Sequence, residues 1–154
     1  MSRPTRTKPA RPSVRKSVAR ILGLDVGERR IGIAISSPEG GLAVPLRVLE
    51  CTDQESDIAA IAELARCEHV EALVVGYPIS MDGSIGPQAR RVEAFAQRLA
   101  KASGLPLELW DERLSSVQAQ RLQRQNPKKK SRRRAREDDL AAAVILQHYL
   151  DSRR

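Results

Sequence analysis

Hydrophobic positions along this chain change period twice, and the changes divide it into elements. From Arg20 to Val26 the sequence RILGLDV is an apolar run closing on Asp25-Val26-Gly27, the pattern of a buried strand. Gly27-Glu28-Arg29-Arg30 predicts a tight turn. Ile31 to Ser36 then alternates: Ile31, Ile33 and Ile35 share one face, and Gly32, Ala34 and Ser36 the other. That second face is small enough for a backbone or a ligand to come close. Pro38-Glu39-Gly40-Gly41 is a second turn, and Leu42 to Leu49 a third strand. Pro45 has no amide hydrogen to donate, which places this strand at a sheet edge. Three strands joined by short turns make an antiparallel meander.

The period then lengthens. Thr52 and Glu55 read as a capping box, followed by a helical face of Ile58, Ile61, Ala62 and Ala65. Leu73-Val74-Val75-Gly76 is a short apolar strand of the buried parallel kind. Gly86-Pro87 opens a helix whose core stripe is Val92, Phe95, Ala96 and Leu99 and which stops at Gly104. Leu107 to Trp110 is a fifth strand. Ser115 with Gln118 caps a third helix, residues 125–136 form a basic loop, and Glu137 to Leu150 is a last, largely buried helix. The order β-β-β-α-β-α-β-α-α gives an α/β fold. Its mixed five-stranded sheet, a three-strand antiparallel meander plus parallel strands, is flanked by helices, which is the ribonuclease H-like arrangement.

Composition narrows the function classes. The 154 residues suit one domain. No apolar run approaches the ~20 residues of a membrane span, so no membrane partner is expected. Cys51 and Cys67 form no CxxC pair or Cys/His cluster, which excludes a disulfide scaffold and an ordinary zinc site and suits a cytoplasmic location. Both are read as buried spacers. Aromatic residues are 3% of the chain, too few for a base-stacking platform to be the main binding device.

Charge is informative once divided. The net charge is +8, yet residues 1–20 hold seven Lys/Arg and 121–136 hold nine, with no acid in either. The rest carries −8. Residues 1–18, rich in Arg, Pro, Ser and Thr, are expected to be a disordered basic tail before a domain spanning 19–154. Two concentrated basic segments on an acidic body suggest a polyanion partner. The internal one, with Lys128, Lys129, Lys130, Arg132, Arg133 and Arg134, is read as a nucleic-acid contact.

Candidate chemistry lies in carboxylates at element ends. No nucleophilic triad is apparent: His69 reads as a surface residue and His148 as a packed or partly exposed one. Asp25 ends the first strand, where a carboxylate is costly unless paired or bound to a cation. Glu112 follows the fifth strand, and Asp138 sits in the first turn of the last helix. With strands one and five near each other and the last helix across their ends, the three acids can converge. Such a cluster suits Mg²⁺ or Mn²⁺, and two ions can activate water and stabilise a leaving oxygen in phosphodiester hydrolysis. Each acid has a plainer role open to it: a turn residue at Asp25, a pair with Arg113 or Arg29 at Glu112, a helix-dipole acid at Asp138. The Gly-rich loop from Gly76 to Pro87 ends at a helix N-terminus that favours phosphate, with Gly86 and Arg90 beside it. Arg29 and Arg113 are further candidate substrate contacts.

Four segments together resemble the YqgF/RuvX family of Holliday-junction-resolvase-like proteins: Asp25 to Ala34, Met81 to Ala89, Trp110 to Ser115, and Ile145 to Asp151. The resemblance spans about residues 20–151. It implies a ribonuclease H-like fold and a nuclease that matures the 5′ end of 16S ribosomal RNA in the cytoplasm. It also implies catalytic acids at Asp25, Glu112 and Asp138, with Asp139 the alternative third. The chain departs from the family at Ser37, where Asp is usual, and at Tyr77 and Ser80, where Leu and Asn are usual. Branched DNA is the alternative substrate, and a non-catalytic nucleic-acid-binding protein is the alternative of another class. Oligomeric state is not legible in the sequence.

Overall fold

In the computed structural model, residues 18–114 and 130–153 are described, with the side chains of 114 and 130–139 excepted. The expected N-terminal tail and the helix expected after Ser115 fall outside this description. The elements run β1 (Arg20–Val26), β2 (Arg30–Ser36), β3 (Ala43–Glu50), α1 (Gln54–Cys67), β4 (Val70–Tyr77), α2 (Pro87–Ser103), β5 (Leu107–Asp111), a 3₁₀ turn (Glu112–Leu114) and α3 (Lys130–Ser152).

The sheet order is β3-β2-β1-β4-β5. The meander β1-β2-β3 is antiparallel, and β4 and β5 join in parallel. This is the mixed five-stranded sheet that the periodicity predicts, with β1 at its centre. Strand β3 is the edge, as Pro45 required. There the register slips between Ile33 and Ala34, leaving Leu46 as the extra residue, so the missing proline donor falls at a bulge on an open edge.

Helices cover both faces. Leu22, Leu24 and Val26 of β1 and the three isoleucines of β2 pack with Ile58, Ile61, Phe95 and Leu99 of α1 and α2. On the opposite face Ile21, Ala34 and Val74 pack against Ala142, Ile145, Leu146 and Tyr149 of α3. The backbone that approaches the small face of β2 is therefore α3. A Cβ on Gly23 would stand 2.7 Å from Leu146 Cβ, so only glycine lets the helix lie this close. Gln147 fixes its lateral position, accepting from the Ala43 amide at 2.9 Å and donating to the Gly41 carbonyl at 3.0 Å.

Several local expectations are corrected. The N-cap of α1 is Asp53, which accepts from the Ser56 amide at 2.8 Å, and not Thr52 of a capping box. The last helix begins at Lys130, two turns before Glu137, so residues 130–136 of the expected 125–136 loop are helical. Lys, Arg and Ala are good helix formers, and no Gly or Pro follows Pro127 to interrupt them. Cys67 is exposed at the end of α1 and Cys51 is half-buried, so neither is a buried spacer. His69 is exposed, and His148 is half-buried, accepting at Nδ1 from Trp110 Nε1 at 3.0 Å, as their placement suggested.

Candidate active site

Parallel strands carry their C-terminal ends to one edge of the sheet, and the antiparallel β1–β2 turn opens at the same edge. Asp25 is the penultimate residue of β1. Side chains alternate along a strand, so Asp25 shares the α3-facing side with Ile21 and Gly23. Its partner across the β1–β2 ladder is Gly32, which adds no side chain. On the other flank Leu24 pairs with Val75, which puts Gly76 level with Asp25.

Strand β4 lies between β1 and β5, so strands one and five are near each other but not paired. Glu112 lies against Gly76, the β4 residue level with Asp25. A Cβ on Gly76 would lie 2.6 Å from Glu112 Oε2 and 2.6 Å from Ile145 Cδ1. The glutamate carboxylate therefore rests on bare backbone, in a space any larger residue would fill. Asp25 is 4% exposed and Glu112 2%. Gly76 is the residue the sequence reading passed over. Its signal was a glycine closing an otherwise β-branched strand, Val74-Val75-Gly76.

Among the described residues no group of three acids, histidines or cysteines gathers. The Asp138 side chain lies outside those described, but its backbone position does not. Gln147 sits at the Gly41–Ala43 end of the molecule, Leu146 lies over Gly23 and Ile145 over Gly76. The N-terminal half of α3 thus runs toward the edge that holds Asp25 and Glu112. Position 138 is two helical turns before Ile145, and position 139 two turns before Leu146.

The arginines divide. Arg113 pairs with Asp111 and not with Glu112: Nη2 donates to Asp111 Oδ2 at 2.8 Å, and the Arg113 amide to Oδ1 at 2.9 Å. The guanidinium holds the Asp111 carboxyl below its ordinary range. Arg113 Nη1 also donates to the Met81 carbonyl at 3.4 Å, tying the end of β5 to the Met81–Pro87 loop. Arg29, in the β1–β2 turn, and Arg90, in the first turn of α2, are exposed at the same edge. Gly86 is the N-cap of α2, and a Cβ there would meet nothing within 4 Å. Of the basic segment, Lys130, Arg132, Arg133 and Arg134 stand on the first turns of α3, while Lys128 and Lys129 lie outside the described residues. The departure at Ser37 lies at the other end of the sheet, where its hydroxyl accepts from the Leu42 amide at 3.2 Å.

Comparison with known proteins adds lineage to this geometry. A family model described as RuvX, Holliday junction resolvase, matches residues 19–152. A protein of Symbiobacterium thermophilum is 48% identical over 134 residues, covering 87% of this chain and 93% of its own. One of Chloroflexus aggregans is 46% identical over 134 residues, covering 87% and 94%. Both are named as candidate pre-16S rRNA nucleases. Among solved structures, Thermus thermophilus RuvC in complex with a Holliday junction substrate superposes with a TM-score of 0.56 at 16% identity, over 88% of this chain and 96% of that one. Fowlpox virus resolvase with Holliday junction DNA gives 0.53 at 9% identity, over 86% and 97%. At these identities the likeness is one of fold, and it bears out the ribonuclease H-like class.

Proposed function

Since the chain belongs to the RuvX Holliday junction resolvase family, we propose that it is a cytoplasmic, divalent-metal-dependent endonuclease that hydrolyses phosphodiester bonds in maturing the 5′ end of pre-16S rRNA. No described helix is long and apolar enough to cross a membrane. The observation that carries the reading is the burial of two carboxylates at the strand ends, Asp25 on β1 and Glu112 against Gly76, the β4 residue level with Asp25. Burial makes paired carboxylates costly, and a hard cation with oxygen preference offsets that cost. The donor set therefore fits Mg²⁺ or Mn²⁺, held by Asp25, Glu112 and Asp138, of which Asp138 stands two helical turns before Ile145 on α3. When bound, such ions supply an activated water and neutralise charge on the leaving oxygen.

The chain's own groups then bind and orient. Arg29 and Arg90 offer charge-assisted hydrogen bonds to phosphates on either side of the acids. Asp111 presents the Arg113 guanidinium toward the Met81–Pro87 loop. A Cβ at Gly86 would meet open space, so the N-terminus of α2 leaves room beside it for a backbone phosphate. The six basic residues from Lys128 to Arg134 reverse the local field of the acidic body along the approach to the acids.

The family's description makes branched DNA the second reading. One assay separates the three possibilities: a 5′-extended 16S precursor and a four-way DNA junction, each with Mg²⁺, with Mn²⁺ and with chelator. Cleavage of the precursor that needs metal is expected, falling about a thousandfold in Asp25→Asn while RNA binding persists. Cleavage of the junction alone would move the substrate to DNA. Binding of both with cleavage of neither would leave a non-catalytic binding protein.

A further inference from the structure

Around the edge from Asp25, on the opposite face of the sheet, lies a cleft of about 380 Å³ that the acids do not use. It opens where β1 ends, between the β1–β2 turn, the β3–α1 connection and α2. Val26, Ile31 and Phe95 make its apolar wall, and Cys51, Asp57 and Arg91 its polar one. Its volume is near the lower bound for small-molecule sites, enough for one flat ring system.

Asp57 is what distinguishes it from a packing gap. The residue is 6% exposed, on the first turn of α1. Its Oδ1 accepts twice from Thr52, from the amide at 3.1 Å and from Oγ1 at 3.2 Å. Its Oδ2 receives no hydrogen bond among the described residues. A buried carboxylate oxygen without a donor is costly, and Asp57 lines a cavity that can admit one. Arg91 reaches Glu28 across the rim at 3.3 Å, leaving guanidinium hydrogens for an acceptor. Burial raises the neighbouring Cys51 thiol, so it stays neutral and brings no competing charge. The Cys51 amide donates to the Arg29 carbonyl at 2.8 Å, joining the cleft wall to the turn that carries Arg29.

We propose that this cleft receives one unstacked nucleobase of the substrate strand, selected for an exocyclic amine that donates to Asp57 Oδ2. The inference rests on the nuclease reading for the strand, and on the cleft alone for the base. Asp25 and Val26 are consecutive residues with side chains on opposite faces. A single strand whose phosphate lies at Asp25 can therefore turn its neighbouring base over the β1 end into the cleft. An apolar wall of Val26, Ile31 and Phe95 beside one acceptor and one donor suits a base with a polar edge, and unpaired bases are the usual target of sequence-selective RNA recognition. Cytosine and uracil test it most cleanly, being equal in size. Cytosine presents its N4 amine where uracil presents O4, and O4 would face the carboxylate.

The experiment measures binding of CMP, UMP, oligo-C and oligo-U in chelator, where no hydrolysis occurs, by titration calorimetry. The expected result is about tenfold tighter binding of CMP than UMP and the same preference between the oligomers. Asp57→Asn keeps Oδ1 for Thr52 and replaces Oδ2 by a donor, so the preference should invert toward uracil. If that variant unfolds, Cys51→Leu fills the cleft from another wall and should abolish the preference in both arms. Equal affinity for CMP and UMP, or a preference unmoved by these variants, overturns the proposal. Preference among free nucleotides but not among oligomers also overturns it, since the cleft would then serve a free nucleotide. Loss of precursor cleavage with the cytosine preference intact would count against the nuclease reading and not against the cleft.

Discussion

At the scale of single residues the site depends on an absence. Gly76 has no side chain, and Glu112 occupies the space that one would need. Gly76→Val would place methyl groups where the Glu112 carboxylate and Ile145 Cδ1 now lie, so the ends of both side chains would have to move. Overpacking of this kind costs about 1–3 kcal/mol. Its effect on cleavage should exceed its effect on stability, because both side-chain ends can yield at a modest packing cost while the Glu112 carboxylate loses its place in the site. The check is the denaturation midpoint set beside cleavage rate: folded protein at least a hundredfold slower than wild type is the expected result. A variant that loses stability and rate in proportion would make Gly76 only a packing residue. Asp25 was legible because a carboxylate on an apolar strand asks for an explanation. Gly76 was not, because a glycine at a strand end has many explanations until the residue across from it is known.

At the scale of elements α3 carries most of what the sequence misjudged. Its buried C-terminal half was readable from the apolar run, although Leu140 at the head of that run is exposed. Its start was placed at Glu137 because the run before it is so basic. Charge suggested a loop, while the propensities of Lys, Arg and Ala favour helix. The consequence is a basic helical arm on the same element that carries Asp138. Replacing Lys128, Lys129, Lys130, Arg132, Arg133 and Arg134 with Gln keeps helix propensity and removes six charges. RNA affinity should fall about equally for all sequences, and the slope of log affinity against log salt should flatten by as much as ~4 for single strands. Circular dichroism should be unchanged. An unaltered slope would show that these charges do not meet phosphate.

At the scale of the whole molecule the sequence divides into two basic segments and an acidic remainder, and the remainder holds the buried Asp25 and Glu112. A cation that binds the folded acids and not the unfolded chain stabilises the fold by linkage. At free Mg²⁺ a hundredfold above its dissociation constant this is about 2.7 kcal/mol, or roughly 5–10 °C in Tm for a chain of this size. Asp25→Asn should abolish the rise. A Tm indifferent to Mg²⁺ and Mn²⁺ in the wild-type protein would remove the metal site from Asp25 and Glu112.

The sequence alone determined the strands, the helical faces and the mixed sheet, because those follow from periodicities of 2 and 3.6 and from where Gly and Pro break them. It also singled out both described acids, since burying charge at a strand end is costly enough to be conspicuous. Only the tertiary structure decided which residues meet. It placed β4 between β1 and β5, made Gly76 the surface on which Glu112 rests, and paired Arg113 with Asp111. It also set Asp57, which the sequence presents as one more acid in a first turn, against a cleft with one oxygen unused. Such contacts join residues far apart in the chain. Local pattern carries no record of them, because packing fixes them only after the elements have formed.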